Sequence, residues 1–178
     1  FLRASSAHQT AQDARKRRPL SENTLASYHR TLRAFWGFLA AEELITAEQA
    51  RFFKTGSDAT TAAIRIARAF TGRDLILSSG YHGWHSWTVA NAAGVPAVVR
   101  NLTEPLEMWR EGPVEAAAVI IEPDALHVDD LRALREWCDR NGTVLIFDEI
   151  LTGFRICSGG HQFLTGVTPD LATFSKAM

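Results

Sequence analysis

Val144-Leu145-Ile146-Phe147 is an uninterrupted apolar run that stops on two acids, Asp148-Glu149. A strand with no polar residue on either face needs cover on both sides. Val119-Ile120-Ile121 is a second such strand, and the sequence leaves open where it begins among Ala116, Ala117 and Ala118. Between the two, a stretch from about Asp129 to Arg140 sets Leu131, Leu134 and Cys138 at helical spacing, and Asn141-Gly142 ends it. Buried strands alternating with helices make a mostly parallel sheet flanked by helices, so the fold class is α/β. In such sheets ligands gather at the carboxyl ends of the strands. Asp148 and Glu149 lie at such an end.

The same texture reaches back to about residue 47. Thr55-Gly56-Ser57-Asp58 opens a helix expected to turn Ala59, Ala62, Ile66, Ala67 and Phe70 to one side and to stop at Gly72. Leu75-Ile76-Leu77 reads as a short buried strand. Val95-Pro96-Ala97-Val98-Val99 reads as another, with Pro96 confined to its start. Residues 1–46 differ: Ser21 or Asn23 can cap a helix along which Leu25, Tyr28, Leu32, Phe35 and Leu39 recur at three- and four-residue steps. Two parts are therefore expected, a helical segment over 1–46 and an α/β part over 47–178.

Composition narrows the class. The chain has 178 residues, 46% hydrophobic and 22% charged, with a net charge of -1, as soluble globular domains do. No apolar run approaches the roughly 20 residues of a membrane-spanning helix. Phe1 to Ser6 lacks a secretory apolar core, and Cys138 and Cys157 suggest neither a disulfide framework nor a metal site. A cytoplasmic location is the expectation. Arg15-Lys16-Arg17-Arg18 is the one uneven feature of charge, a solvated tail or a contact for nucleic acid.

Several residues could carry chemistry. Gly56 and Ser57 open a helix whose free N–H groups and dipole suit a phosphate, although in isolation the loop is an ordinary N-cap. Asp148 ends its strand as an acid able to hold a protonated ring nitrogen, or as a solvated loop acid. The magnesium-binding alternative lacks the glycine-rich Lys-Ser/Thr loop it requires. Gly80-Tyr81-His82-Gly83-Trp84 offers a ring that can stack on a planar ligand or simply pack on the surface. His82 and His85 lack a second ligand pair for a metal, and Trp84 and Trp87 read as packing residues. Lys176 follows Leu171-Ala172-Thr173-Phe174; most lysines are solvated, but one in an apolar pocket can become a nucleophile.

Five segments in order, R-F-F-K-T-G-S-D-A-T-T-A-A-I-R-I-A-R-A-F-T-G-R-D (Arg51 to Asp74), G-Y-H-G-W-H (Gly80 to His85), V-I-I-E-P (Val119 to Pro123), L-I-F-D-E-I-L-T-G-F-R (Leu145 to Arg155) and T-P-D-L-A-T-F-S-K (Thr168 to Lys176), resemble the class III aminotransferases. The D-E-x-x-T-G-F-R form and G-V-T-P-D-L are most similar to the glutamate-1-semialdehyde aminomutase branch. The resemblance covers nearly all of 48–178 and implies part of a fold-type-I large domain binding pyridoxal 5'-phosphate. It implies transaminase or aminomutase activity on a small amino or keto substrate, and a homodimer. Lys176 would be the Schiff-base lysine and then the proton-moving base. Asp148 would hold the ring nitrogen, Ile150 and Tyr81 would cover the two ring faces, and Gly56 and Ser57 would take the phosphate. His82, Glu122 and Glu149 would support the site from behind.

The departures from that pattern carry expectations of their own. Asp58 stands where the family usually has glutamate. Asp124-Ala125-Leu126-His127 replaces a Gly-Asn pair that in the family reaches the cofactor's phenolic oxygen. Only Ala177 and Met178 follow Lys176, where the family continues, so an incomplete enzyme without turnover of its own is expected. Leu20 to Tyr28, continuing through Leu39, resembles the core-binding domain of tyrosine recombinases. The alternative reading is thus a DNA-binding recombinase-like fragment joined, near Glu43 to Ala47, to an inactive aminotransferase remnant.

Overall fold

A computed structural model of the chain describes residues 50–88 and 93–177. The expectations placed on residues 1–46, including the capped helix and the basic run, lie outside the described residues. From Phe52 onward the described residues belong to one compact unit.

Its centre is a sheet of strands β1 (Leu75–Ser79), β2 (Thr103–Pro105), β3 (Ala116–Ile121), β4 (Val144–Asp148) and β5 (Leu171–Thr173). The order is β2-β1-β3-β4-β5, and every neighbouring pair is parallel. Helices α1 (Gly56–Thr71), α2 (Ala97–Arg100), α3 (Val128–Asn141) and α4 (Gly160–Thr165) complete the unit. All six residues of β3 and all five of β4 are buried, as apolar runs without alternation require. Side chains of one strand go alternately to opposite faces. Val119, Ile121, Leu145 and Phe147 meet Leu131, Leu134 and Cys138 of α3. Ala118, Ile120 and Ile146 meet Ala63, Ile64 and Ala67 of α1.

Both long helices start and stop by local chemistry. Thr55 and Asp58 form a reciprocal capping box at the start of α1, and Gly72 closes it in the left-handed region at φ 69°. Gly142, at φ 60°, closes α3 in the same way. Arg73 then ties the two helix ends to the sheet. Its Nη1 donates to the carbonyls of Ala116, Asn141 and Gly142 at 2.9–3.2 Å, a cation placed on the negative end of α3. Arg135 of α3 similarly bridges Asp170, just before β5, and Asp139.

Two expectations are corrected. Val95 to Val99 is not a strand: Ala97–Arg100 is a single helical turn with Val98 73% exposed, and the edge strand is Thr103–Pro105. Thr103 takes that position because its hydroxyl is buried and donates to the Trp87 carbonyl at 2.7 Å, whereas an exposed edge needs no β-branched apolar run. The buried face of α1 is Thr60, Ala63, Ile64 and Ala67; of the expected set only Ala67 is buried, and Ile66 and Phe70 are exposed. Small residues let the helix axis approach the sheet closely. Ile66 and Phe70 are displaced to an open groove of about 360 Å³ shared with Val144 and Leu171. The start of β3, open from sequence, is Ala116.

Among the described residues no helix is long and apolar enough to cross a membrane, and no group of three or more His, Cys, Asp or Glu is placed to hold a metal ion. Cys138 is fully buried in the core, and burial pushes its thiol up from 9.0 to about 12. The unfolded chain releases this proton above pH 9 while the native chain keeps it. The stability it contributes is therefore complete below pH 9 and is lost as the pH climbs towards 12. Urea midpoints measured on either side of pH 9 should fall more steeply in the wild type than in Cys138→Ala. Equal slopes would contradict the buried thiol.

Candidate functional site

The carboxyl ends of the parallel strands lie on one edge of the sheet, and the sequence puts a polar residue or loop at each. Asp148, the last residue of β4, is 2% exposed. Its Oδ2 lies 2.8 Å from His82 Nδ1, and its Oδ1 accepts from the Ile150 amide at 3.1 Å and the Thr173 hydroxyl at 3.3 Å. His82 is equally buried, and its Nε2 lies 2.9 Å from the Ser79 carbonyl. Both ring nitrogens therefore face acceptors. The imidazole is thereby held by a contact at each nitrogen, one to the carboxylate and one to the backbone. Three donors compensate the removal of the Asp148 carboxylate from water.

The start of α1 comes to the same edge. A Cβ on Gly56 would lie 2.6 Å from Ile150 Cδ1, so glycine is what lets Ile150, two residues past Asp148, lie over the helix end. Gly83, at φ +106°, passes so close to Ser57 that a Cβ there would meet the Ser57 side chain. The capping box uses the Asp58 amide and leaves the Gly56 and Ser57 amides, the first two of the helix, unclaimed at its positive end.

The loop after β1 carries Tyr81, whose ring is 70% exposed. The two tryptophans expected to pack part company. Trp87 is buried, stacked at 6.4 Å on His82, while Trp84 is 75% exposed. His82 and His85 also separate: the first belongs to Asp148, and the second, through Nδ1, to the Thr61 hydroxyl at 2.7 Å. The spacing that hinted at a metal therefore has another use.

Glu149 and Glu122 play different parts. Glu149 is fully buried and accepts from the Thr152 hydroxyl and from the His161 and Gln162 amides. It anchors the segment between β4 and α4, and so the loop that begins with Ile150. Glu122 lies against Gly80, whose φ of +105° leaves room for the carboxylate where a Cβ would stand. Lys176 follows β5 by three residues, and Thr173 is the register partner of Asp148. Its side chain is exposed rather than enclosed in an apolar pocket, and its φ is +38°. The structure thus joins His82 to Asp148, Asp148 to Ile150, Ile150 to Gly56 and Ser57 to Gly83, with Tyr81 on the loop that carries His82 and Gly83, and sets Lys176 three residues past the adjoining strand.

Thr60, Thr61 and Thr173 were not singled out from the sequence. Their signal was available: a hydroxyl among apolar residues on a buried face needs a partner.

Glu149→Gln tests the anchor. One carboxylate oxygen becomes an NH₂ group facing the Gln162 N–H, or the His161 N–H beside the Thr152 hydroxyl, so a hydrogen bond from a backbone amide is lost in a buried place. The variant should lose about 1–3 kcal/mol of unfolding free energy in urea. A variant as stable as the wild type would contradict the assignment.

Residues 96–178 match the aminotransferase class-III family. The chain is 41% identical to the 3-aminobutyryl-CoA aminotransferase of Cloacimonas acidaminovorans and 38% identical to the glutamate-1-semialdehyde 2,1-aminomutase of Pyrobaculum calidifontis. Each match covers 74% of this chain and 36% of the relative. The chain thus spans about a third of the length of the curated relatives it matches. The structure of the pyridoxal-phosphate form of the FumI protein from Sphingopyxis sp. MTA144 superposes with a TM-score of 0.61 at 29% identity, over 71% of this chain and 36% of that one. The parallel sheet with its flanking helices is the corresponding part of the fold-type-I aminotransferase large domain. Over residues 96–178 the chain matches the class-III aminotransferases, a pyridoxal-phosphate-dependent family, and its relatives at 41% and 38% identity are an aminotransferase and an aminomutase.

Proposed function

We propose that the α/β part binds pyridoxal 5'-phosphate and takes part in amino-group transfer, as a transaminase or an aminomutase, on a small amino or keto substrate. The observation that carries this reading is the buried His82–Asp148 pair beside the open end of α1. A dianionic phosphate suits the free Gly56 and Ser57 amides and the Ser57 hydroxyl. An aromatic ring carrying N–H suits a carboxylate already fixed by other donors. Tyr81 offers an exposed face for stacking, and Ile150 an apolar one opposite. The residues present therefore fit the group.

When bound, the cofactor supplies an electron sink for the carbanion character that develops at the substrate carbon. The protein's residues do the rest. Asp148 would hold a proton on the ring nitrogen, and His82, 2.8 Å away, would keep the carboxylate oriented. Gly56 and Ser57 would hold the phosphate end, while Tyr81 and Ile150 would cover the ring. Lys176, at the end of the neighbouring strand, would supply the amine and move a proton between the substrate carbon and the cofactor. Asp124, in place of the family's glycine–asparagine pair, leaves the phenolic side without that amide contact.

The proposal includes a homodimer in a cytoplasmic setting, with the helical part (1–46) and the α/β part (47–178) as separate segments. If the N-terminal segment meets DNA, Arg15 to Arg18 would carry the contact. Duplex binding would then weaken steeply with salt, and anisotropy that stays flat at low salt would remove that reading.

The main test is spectroscopic. The chain mixed with pyridoxal 5'-phosphate should develop a visible absorption band that Lys176→Ala abolishes. Asp148→Asn should keep a band but raise the dissociation constant about tenfold or more, since an amide cannot make the charge-assisted bond to the ring nitrogen. A wild type with no band would sink the proposal.

A further inference from the structure

We infer that Thr60 is a positioning residue that couples the two ends of the proposed cofactor site, an inference that rests on the reading just given. Thr60 is fully buried in the first turns of α1. Its hydroxyl lies 3.1 Å from the Ser57 carbonyl and 2.8 Å from the His82 carbonyl. A threonine hydroxyl has one hydrogen, so the two carbonyls share it. Ser57 belongs to the phosphate end of the site. His82 belongs to the ring-nitrogen end, because its imidazole holds Asp148. A movement of either end is thereby felt at the other.

Thr61 adds a second fastening to the same loop. Its hydroxyl accepts from Trp87 Nε1 at 2.8 Å and is hydrogen-bonded to His85 Nδ1 at 2.7 Å. Consecutive helix residues point about 100° apart, so the two threonines reach different parts of the loop, at His82 and at His85 and Trp87. Between these points Gly83 runs against Ser57 with no space for a side chain. The segment presenting Tyr81 is thus pinned to the helix end that would take the phosphate. Such pre-organisation raises affinity by removing the need to order the loop on binding.

The experiment compares the full chain as wild type, Thr60→Val and Thr60→Ser. Valine keeps the branched shape but leaves the buried His82 carbonyl without its donor; serine restores the hydroxyl. In the absence of cofactor, amide hydrogen exchange across residues 80–88 should accelerate about tenfold in Thr60→Val, as expected for the loss of one buried hydrogen bond. The β3 and β4 amides should keep their protection, and Thr60→Ser should exchange like the wild type. Unchanged exchange over 80–88 overturns the inference, and so does a uniform rise that includes β3 and β4. The second readout is the ratio of affinities for pyridoxal 5'-phosphate and pyridoxal. Thr60→Val should shrink that ratio, because phosphate and ring are no longer held in one frame, and an unchanged ratio overturns the coupling. If the wild type binds neither compound, the cofactor reading fails and with it the coupling of two cofactor ends; the exchange result then shows only whether Thr60 holds the loop.

Discussion

A carboxylate removed from water at the end of a parallel strand is the constraint around which the strand-end edge of this unit is arranged. Asp148 is buried because β4 is covered on both faces, and the sheet offers no other place for its last residue. The charge is tolerable only because an imidazole, a backbone amide and a hydroxyl are turned towards it. Each of those donors comes from a different part of the chain. His82 comes from the loop after β1, the amide from the turn after β4, and Thr173 from β5. Satisfying one charge therefore fixes the relative places of three strand ends.

The helix α1 is drawn into the same arrangement by close contact. Glycine at positions 56 and 83 removes the side chains that would hold the helix end and the loop apart. Thr60 and Thr61 then fasten the loop by hydrogen bonds. Glu149 does similar work on the other side, holding the segment after β4 through amides of α4. The acids in the strand-end doublet, adjacent in sequence, point to opposite tasks: Asp148 towards the site and Glu149 towards the framework. Alternation along an extended chain explains the split.

Much of this was legible in the residues. The buried strands β3 and β4 and the helix between them were readable because both faces are covered, which removes every polar interruption. The ends of α1 and α3 were readable because Gly72 and Gly142 are required where the chain turns left-handed. The edge strand was not. Val98 and Val99 carry more β-propensity than Thr103 and Glu104, yet propensity at an edge yields to how the chain enters it, and here a proline-started turn comes first. The buried face of α1 was misjudged because the larger apolar residues, Ile66 and Phe70, were taken as the core side. Close helix–sheet approach buries Ala67, which the expected face includes, together with Ala63 and Ile64, which it does not. At the strand-end edge, the placement of Asp148 at the end of β4 and of Gly56 and Ser57 at the start of α1 was legible. The threonine fastenings were not, since a hydroxyl's partner is set by tertiary contact.

The central proposal is that Asp148, held by His82, would keep the ring nitrogen of bound pyridoxal 5'-phosphate protonated. The most direct measurement is the ¹⁵N chemical shift of that nitrogen, recorded with ring-labelled cofactor in the wild type and in Asp148→Asn. The account predicts a protonated-nitrogen shift in the wild type that persists through neutral pH and moves to the unprotonated position in Asp148→Asn. An unprotonated shift in the wild type, or one indifferent to the substitution, would contradict it.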